Sequence, residues 1–267
     1  MKSSIVSKKN VRTAFSRAAS TYDCHAEIQQ EVNRLLMSKL SPRAFGNILE
    51  IGCGTGSLTQ RILAMLPRPK RIVAVDLSHD MVVTSKDRTR GHDNVFFVCC
   101  DAEILPLRRE PQFDLIISAS AMQWFNHFGP TIEGLAKRHL KKNGLFLVSL
   151  FGRNTLKELS FVLSAQFPSK DTTLPTAFFP RFPEDIYALS PFFTSLDVQR
   201  ITIEKKYPDL LQLLRVFKMT GVSPRRDGRP PLFSSPEAIA KLQGCYLERF
   251  GSITASFEVI IISAIGY

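Results

Sequence analysis

Short runs rich in β-branched and aliphatic residues recur through the first half of the chain: Asn47 to Ile51, Arg71 to Asp76, Val95 to Cys100, Phe113 to Ala119 and Gly144 to Phe151. Apolar residues fill most of each run instead of alternating with polar ones, so each reads as a strand covered on both faces. The segments between them, such as Leu58 to Leu66 and Ser78 to Arg88, have the length of helices that cross back over a sheet. That pairing of signals predicts an α/β fold with a parallel sheet wrapped by helices. A chain of 267 residues with 44% hydrophobic and 22% charged residues can bury the core such a sheet needs, which excludes a disordered chain.

Ahead of the first run, Glu27 to Leu40 carries Ile28, Val32, Leu35, Leu36 and Leu40 at near-helical spacing and stops before Ser41-Pro42. Beyond Phe151, Thr155 to Phe167 reads as a helix, and Pro175, Pro180, Pro183 and Pro191 mark an irregular, phenylalanine-rich stretch. Leu196 to Tyr207 and Ala255 to Ile265 read as strands that complete the sheet, with helices at Asp209 to Met219 and Pro236 to Arg249 forming a cap.

Gly52, Gly54 and Gly56 directly follow the first strand, where a tight turn lets backbone approach a ligand at the carboxyl end of the sheet. Their spacing is G-x-G-x-G and lacks the full G-x-G-x-x-G of dinucleotide folds. Asp76 closes the second strand, placed either to accept ribose hydroxyls or to cap the helix that begins near Ser78; Asp101 closes the third, placed either to take an amine proton or to make a turn.

E50-I-G-C-G-T-G56, D76-L-S, C100-D-A-E-I-L-P106 and F113-D-L-I-I-S118 resemble, in order, the motifs of class I S-adenosylmethionine-dependent methyltransferases, over about Gly46 to Phe151. The resemblance implies a Rossmann-like domain over residues 1–267, with a mostly parallel seven-stranded sheet, helices on both faces and a helical cap. Its expected parts are a lid and helix at 1–40, a cofactor core at 41–152, a cap and substrate region at 153–194 and 208–250, and late strands at 195–207 and 253–266. It also implies S-adenosyl-L-methionine as cofactor: Glu50, Gly52, Cys53, Gly54 and Gly56 at the methionine end, Asp76 at the ribose, Leu77 on the adenine, Asp101 and Ala102 at its amino group, and Ser118 beside them.

N10-V-R-T-A-F-S-R-A-A-S-T-Y-D23, S118-A-S-A-M-Q-W124, L150-F-G-R-N-T-L-K-E-L159 and K218-M-T-G-V-S223 with D227-G-R229 are similar to the malonyl-acyl carrier protein O-methyltransferase family of biotin synthesis. That family methylates the free carboxylate of a malonyl thioester on acyl carrier protein. A carboxylate is already ionised at neutral pH, so no general base is needed; positioning and a cation are. Arg153 is the first choice for that cation, followed by Arg225, Arg226 and Arg229. The resemblance sets Tyr22 in a segment closing over the cofactor, and Gln123 and Trp124 are expected along the transfer cleft, with core packing as the alternative for each aromatic.

Lys and Arg outnumber Asp and Glu by 35 to 24, a +11 balance that either steers an acidic partner or only favours solubility. With an acidic carrier as partner, Arg12, Arg17 and the Arg225 to Arg229 cluster form the expected rim. The cysteines, Cys24, Cys53, Cys99, Cys100 and Cys245, show no C-x-x-C spacing, and the five histidines show no metal spacing, so no metal is expected. The opening MKSSIVSKKN lacks an apolar signal segment and no apolar run is long enough to span a membrane, which predicts a soluble protein; the cysteine pattern fits a reducing, cytoplasmic compartment, and a monomer is expected. Competing readings are a methyltransferase for a small carboxylate or RNA, the latter disfavoured by S-A-S-A where an N-P-P-type motif is expected, a cofactor-binding partner protein without turnover, and a nicotinamide oxidoreductase.

Overall fold

The computed structural model describes residues 6–40, 44–67, 69–107, 112–167, 174–220 and 235–267. Helices α1 (Lys8–Ala18), α2 (Tyr22–His25) and α3 (Glu27–Met37) lead into strand β1 (Asn47–Ile51). There follow α4 (Ser57–Met65), β2 (Arg71–Asp76), α5 (His79–Arg88), β3 (Val95–Cys99), β4 (Phe113–Ala119), α6 (Phe128–Arg138) and β5 (Leu140–Phe151). The last part holds α7 (Lys157–Gln166), α8 (Glu184–Tyr187), β6 (Ser195–Tyr207), α9 (Leu210–Met219), α10 (Pro236–Phe250) and β7 (Ile253–Ile265).

The strands form a seven-stranded sheet in the order β3-β2-β1-β4-β5-β7-β6. β1 to β5 are parallel to their neighbours, and β7 runs antiparallel to both β5 and β6. The expected mostly parallel, seven-stranded sheet is thus the observed one. Strand polarity explains the double-faced burial: Ile48, Ile72, Leu115 and Leu147 pack into one core, and Leu49, Val73, Ile116 and Val148, one residue on in each strand, pack into the other. Each fully buried side chain of this size contributes about 1.5 to 3 kcal/mol of transfer free energy.

Around β5 lie the largest departures from the sequence reading. α6 answers to no segment singled out there. β5 starts at Leu140 instead of Gly144: Leu140 pairs with Phe113, the register then shifts, and Asn143 takes a left-handed φ of 57°. The K-K-N-G stretch, left outside the strand by the sequence reading, is therefore carried inside it as an irregularity. Among the described residues, no helix is long and apolar enough to cross a membrane.

Chain order reverses between β2-β1 and β4-β5, so the turns after β1, β2 and β4 open on one crevice. That switch point positions the site.

Candidate active site

The first turn is built by glycine. The N–H groups of Gly52 and Cys53 both donate to the Val75 carbonyl, at 2.8 and 3.0 Å, tying the turn to β2. Gly52 has φ +73°, and a Cβ there would lie 2.2 Å from the Ala121 Cβ. Gly54, at φ +53°, has nothing within 4 Å of such a position, so its backbone is bare toward the cavity. Gly56 begins α4 at φ +85° and packs on Ser85, whose Oγ would lie 2.6 Å from an added Cβ.

Asp76 locks this turn to the next one. One of its oxygens accepts the Gly54 N–H at 2.9 Å and the other the Ser78 N–H at 2.8 Å. Each oxygen keeps lone-pair capacity for a ligand hydroxyl. Burial pushes the Asp76 carboxyl above its ordinary value, against those backbone donors. Capping falls to Ser78 itself, whose Oγ accepts from the Met81 N–H at 3.3 Å. Deeper in the sheet, Glu50 is fully buried; Thr59 donates to its Oε2 at 2.7 Å and its Oε1 has no partner. Burial, with the Asp76 charge adding to it, raises the Glu50 carboxyl to about 8 despite the Thr59 hydrogen bond.

Gly52, Gly54, Asp76, Leu77, Asp101 and Ala102 line a single cavity of about 710 Å³ of empty space, solvent at its mouth included. The structure does not bring four other expected residues to that surface: Glu50, Cys53, Gly56 and Ser118 stand behind it. Cys53 is buried, which pushes its thiol up. Ser118 Oγ donates to the Ile51 carbonyl at 2.8 Å and so straps β4 to β1.

The N-terminal segment closes the cavity. α1 contributes Lys8, Val11 and Phe15 to its wall, and α2 contributes Tyr22. Lys8 pairs with Asp101 at 3.2 Å and Glu103 at 2.5 Å, and Ser16 Oγ lies 2.9 Å from Ser78 Oγ. Asp23 pairs with Arg88 and accepts from Thr55 Oγ1 at 2.7 Å, which fixes Tyr22 over the glycine turn. Burial, then the charges of Asp76 and Asp23, push the Tyr22 hydroxyl above its ordinary value, so it stays a donor at neutral pH.

A second, narrow cavity abuts the first, with about 610 Å³ of empty space once the solvent at its mouth is included, and Phe15, Tyr22, Ser120 and Trp124 line both. Phe151, Phe179, Phe217 and Phe257 are among its apolar walls, and His25, Gln123, Lys205 and Tyr207 among its polar ones. Trp124 stacks edge-on between Phe15 and Phe179, with ring centroids at 6.0 and 5.0 Å. Ser120 takes a left-handed φ of 54°, a strained conformation for a residue with a Cβ, at the junction of the cavities.

Arg153 is not part of either cavity. Its side chain is exposed, its N–H donates to the Pro180 carbonyl at 3.2 Å, and its charge faces Asp185, where Arg181 is the closer cation. Nearness in sequence to the β5 end therefore does not bring the guanidinium into either cavity. Arg225, Arg226 and Arg229 lie outside the described residues; Arg12 and Arg17 are exposed on α1. Residues that sequence reasoning missed are Lys8, Ser120, Lys205 and Tyr207. For Lys205 a signal existed: Ile201, Ile203, Lys205 and Tyr207 share one face of β6, so a lysine occupies an apolar register.

Residues 48–144 match a protein family described as a methyltransferase domain. A malonyl-acyl carrier protein O-methyltransferase of Geobacter sulfurreducens is 30% identical over 96% of this chain and 98% of its own length. One of Priestia megaterium is 40% identical over 58% of this chain, and the chain spans only 56% of that relative in the match. Among solved structures, the YcgJ protein of Bacillus subtilis superposes with a TM-score of 0.61 over 88% of this chain and 98% of its own, at 17% identity.

Proposed function

Since the chain belongs to the malonyl-acyl carrier protein O-methyltransferase family, we propose that it methylates the free carboxylate of a malonyl thioester on acyl carrier protein, an early step of biotin synthesis, with S-adenosyl-L-methionine as donor. The observation that carries this reading is the pair of abutting cavities that share Phe15, Tyr22, Ser120 and Trp124. One suits a nucleoside, the other a small acyl group on an arm.

The residues of the first cavity fit the cofactor. Asp76 offers free lone pairs, Gly54 offers bare backbone, and Glu50 holds an unpartnered buried oxygen behind the turn. When bound, the cofactor supplies a methyl group made electrophilic by its sulfonium. The chain's own contribution is positional. Asp76 would hold the ribose end, and Leu77 and Ala102, which line the same cavity, would flank the adenine. Tyr22 and Trp124 at the shared wall exclude water and fix the angle of approach, which is worth up to about 7 to 11 kcal/mol in well-oriented reactions. The acceptor carboxylate is already ionised at neutral pH, so the protein would have no proton to remove from it.

Both cavities are lined by residues of one chain, which supports reading it as a monomer with one methyltransferase domain. The exposed Arg12 and Arg17 beside the lid supply positive charge for an acidic carrier. The test is transfer of labelled methyl to malonyl-acyl carrier protein, alongside malonyl coenzyme A and unacylated carrier. Base-labile label on the malonylated carrier alone is the expected result. Label on none of them, with the cofactor bound, would refute the substrate.

A further inference from the structure

A carboxylate entering an apolar chamber loses its hydration, so it needs a cation and hydrogen-bond donors there. No Asp or Glu lines the second cavity among the described residues, and its basic groups are His25 and Lys205. Three polar atoms along its wall are buried and without partner: Ser120 Oγ, Gln123 Oε1 and Tyr207 Oη. Buried polar groups rarely stay unpaired, and several orphans facing one cavity indicate a ligand that completes them.

Lys205 and Tyr207 stand two residues apart on the inward face of β6, with the Lys205 Nζ 5.5 Å from the Tyr207 ring centroid. Burial, with the Glu27 charge adding to it, pushes the Tyr207 phenol up to about 12, so it is a donor at any physiological pH. Lys205 pairs with Glu27, whose side chain is 74% exposed. A partner so open to water is weakly held and leaves the cation available to the cavity. Ser120 adds a hydroxyl at the junction with the cofactor cavity.

We infer that Lys205 and Tyr207 hold the negatively charged acyl end of the substrate in this chamber, the role that sequence spacing assigns to Arg153. The inference rests on the carboxyl-transfer reading and names the residues that read the charge. Lys205 supplies attraction that persists in a water-poor space, and Tyr207 donates a hydrogen bond to the acyl oxygens. Once the carboxylate is esterified the charge is gone, and the same pair then favours release of the product.

The test compares binding of malonyl-acyl carrier protein and its monomethyl ester to the enzyme loaded with S-adenosylhomocysteine, by calorimetry, beside methyl-transfer rates. Wild type is expected to prefer the acid. Tyr207→Phe and Lys205→Met are expected to weaken the acid about tenfold each, with the ester little changed, and Lys205→Arg to restore most of the preference. The rise falls on KM more than on kcat. Thermal melts and S-adenosylhomocysteine affinity report folding, and if Tyr207→Phe fails to fold, Lys205→Met alone decides. An acid preference that survives in the variants, or is missing from wild type, overturns the inference. If wild type transfers methyl while the variants keep their preference, the proposed function stands and the carboxylate seat falls. If wild type transfers none yet prefers the acid through these residues, the reverse holds.

Discussion

The cofactor cavity takes its ligand-facing residues from the ends of adjacent parallel strands, each within a turn of its strand: Gly52 and Gly54 after β1, Asp76 and Leu77 at β2, Asp101 and Ala102 after β3. The second cavity, proposed for the acyl group, takes its walls from Tyr22, Phe151, Tyr207, Phe217 and Phe257, on α2, β5, β6, α9 and β7. The first is made by local geometry repeated along a sheet, the second by packing of distant segments. One consequence is that the cofactor cavity can be damaged through the backbone of its turns as well as through Asp76, whereas damage to the second cavity acts through single side chains.

The largest effect that sharpens this contrast is expected at Gly52. An added methyl meets Ala121 at 2.2 Å and the backbone sits at a φ of +73°. Gly52→Ala should cost about 1 to 3 kcal/mol of stability. Thermal melting and S-adenosylhomocysteine titration should fall together, because the turn is both wall and scaffold.

A smaller effect is expected at Glu50. Its carboxyl is raised from 4.5 to about 8 in the fold, so the folded chain favours the protonated form. In the ligand-free protein that preference is satisfied below the unfolded value, and stability is lost as pH rises from 4.5 through about 8. Glu50→Gln should flatten the melting temperature over that window and raise it near pH 8. A variant with the same pH slope as wild type would mean that the buried carboxyl is compensated by a group elsewhere.

The smallest effect is expected at Arg153. Its exposure and its place beside Asp185 predict that Arg153→Ala changes KM for the malonylated carrier by less than about twofold, as surface charges usually do. A large rise in KM would return Arg153 to the cleft and break the distinction drawn here between it and Lys205.

The same contrast explains what was legible in the sequence. Strand ends carry their own signals, so the glycine turn, Asp76 and Asp101 could be read from spacing together with their order along the chain. The double-faced burial of β1, β2, β4 and β5 was equally visible as unbroken apolar runs. The chamber was not, because no local pattern ties Phe15 to Phe257 or Ser120 to Tyr207. Arg153 illustrates the limit: it follows β5 by two residues, yet its side chain is exposed and lines neither cavity. Lys205 was detectable in principle, as a lysine in the apolar register of an edge strand, but only once the face that β6 buries was known.

The account's central claim is that the two cavities divide the labour, one for the cofactor and one for the acyl group. Titration of S-adenosylhomocysteine into Asp76→Ala and Tyr207→Phe tests it most directly. Loss of a charge-assisted acceptor predicts roughly 10- to 100-fold weaker binding for Asp76→Ala, and unchanged binding for Tyr207→Phe. Equal weakening in both variants, with both still folded, would contradict the division and make the cavities one site.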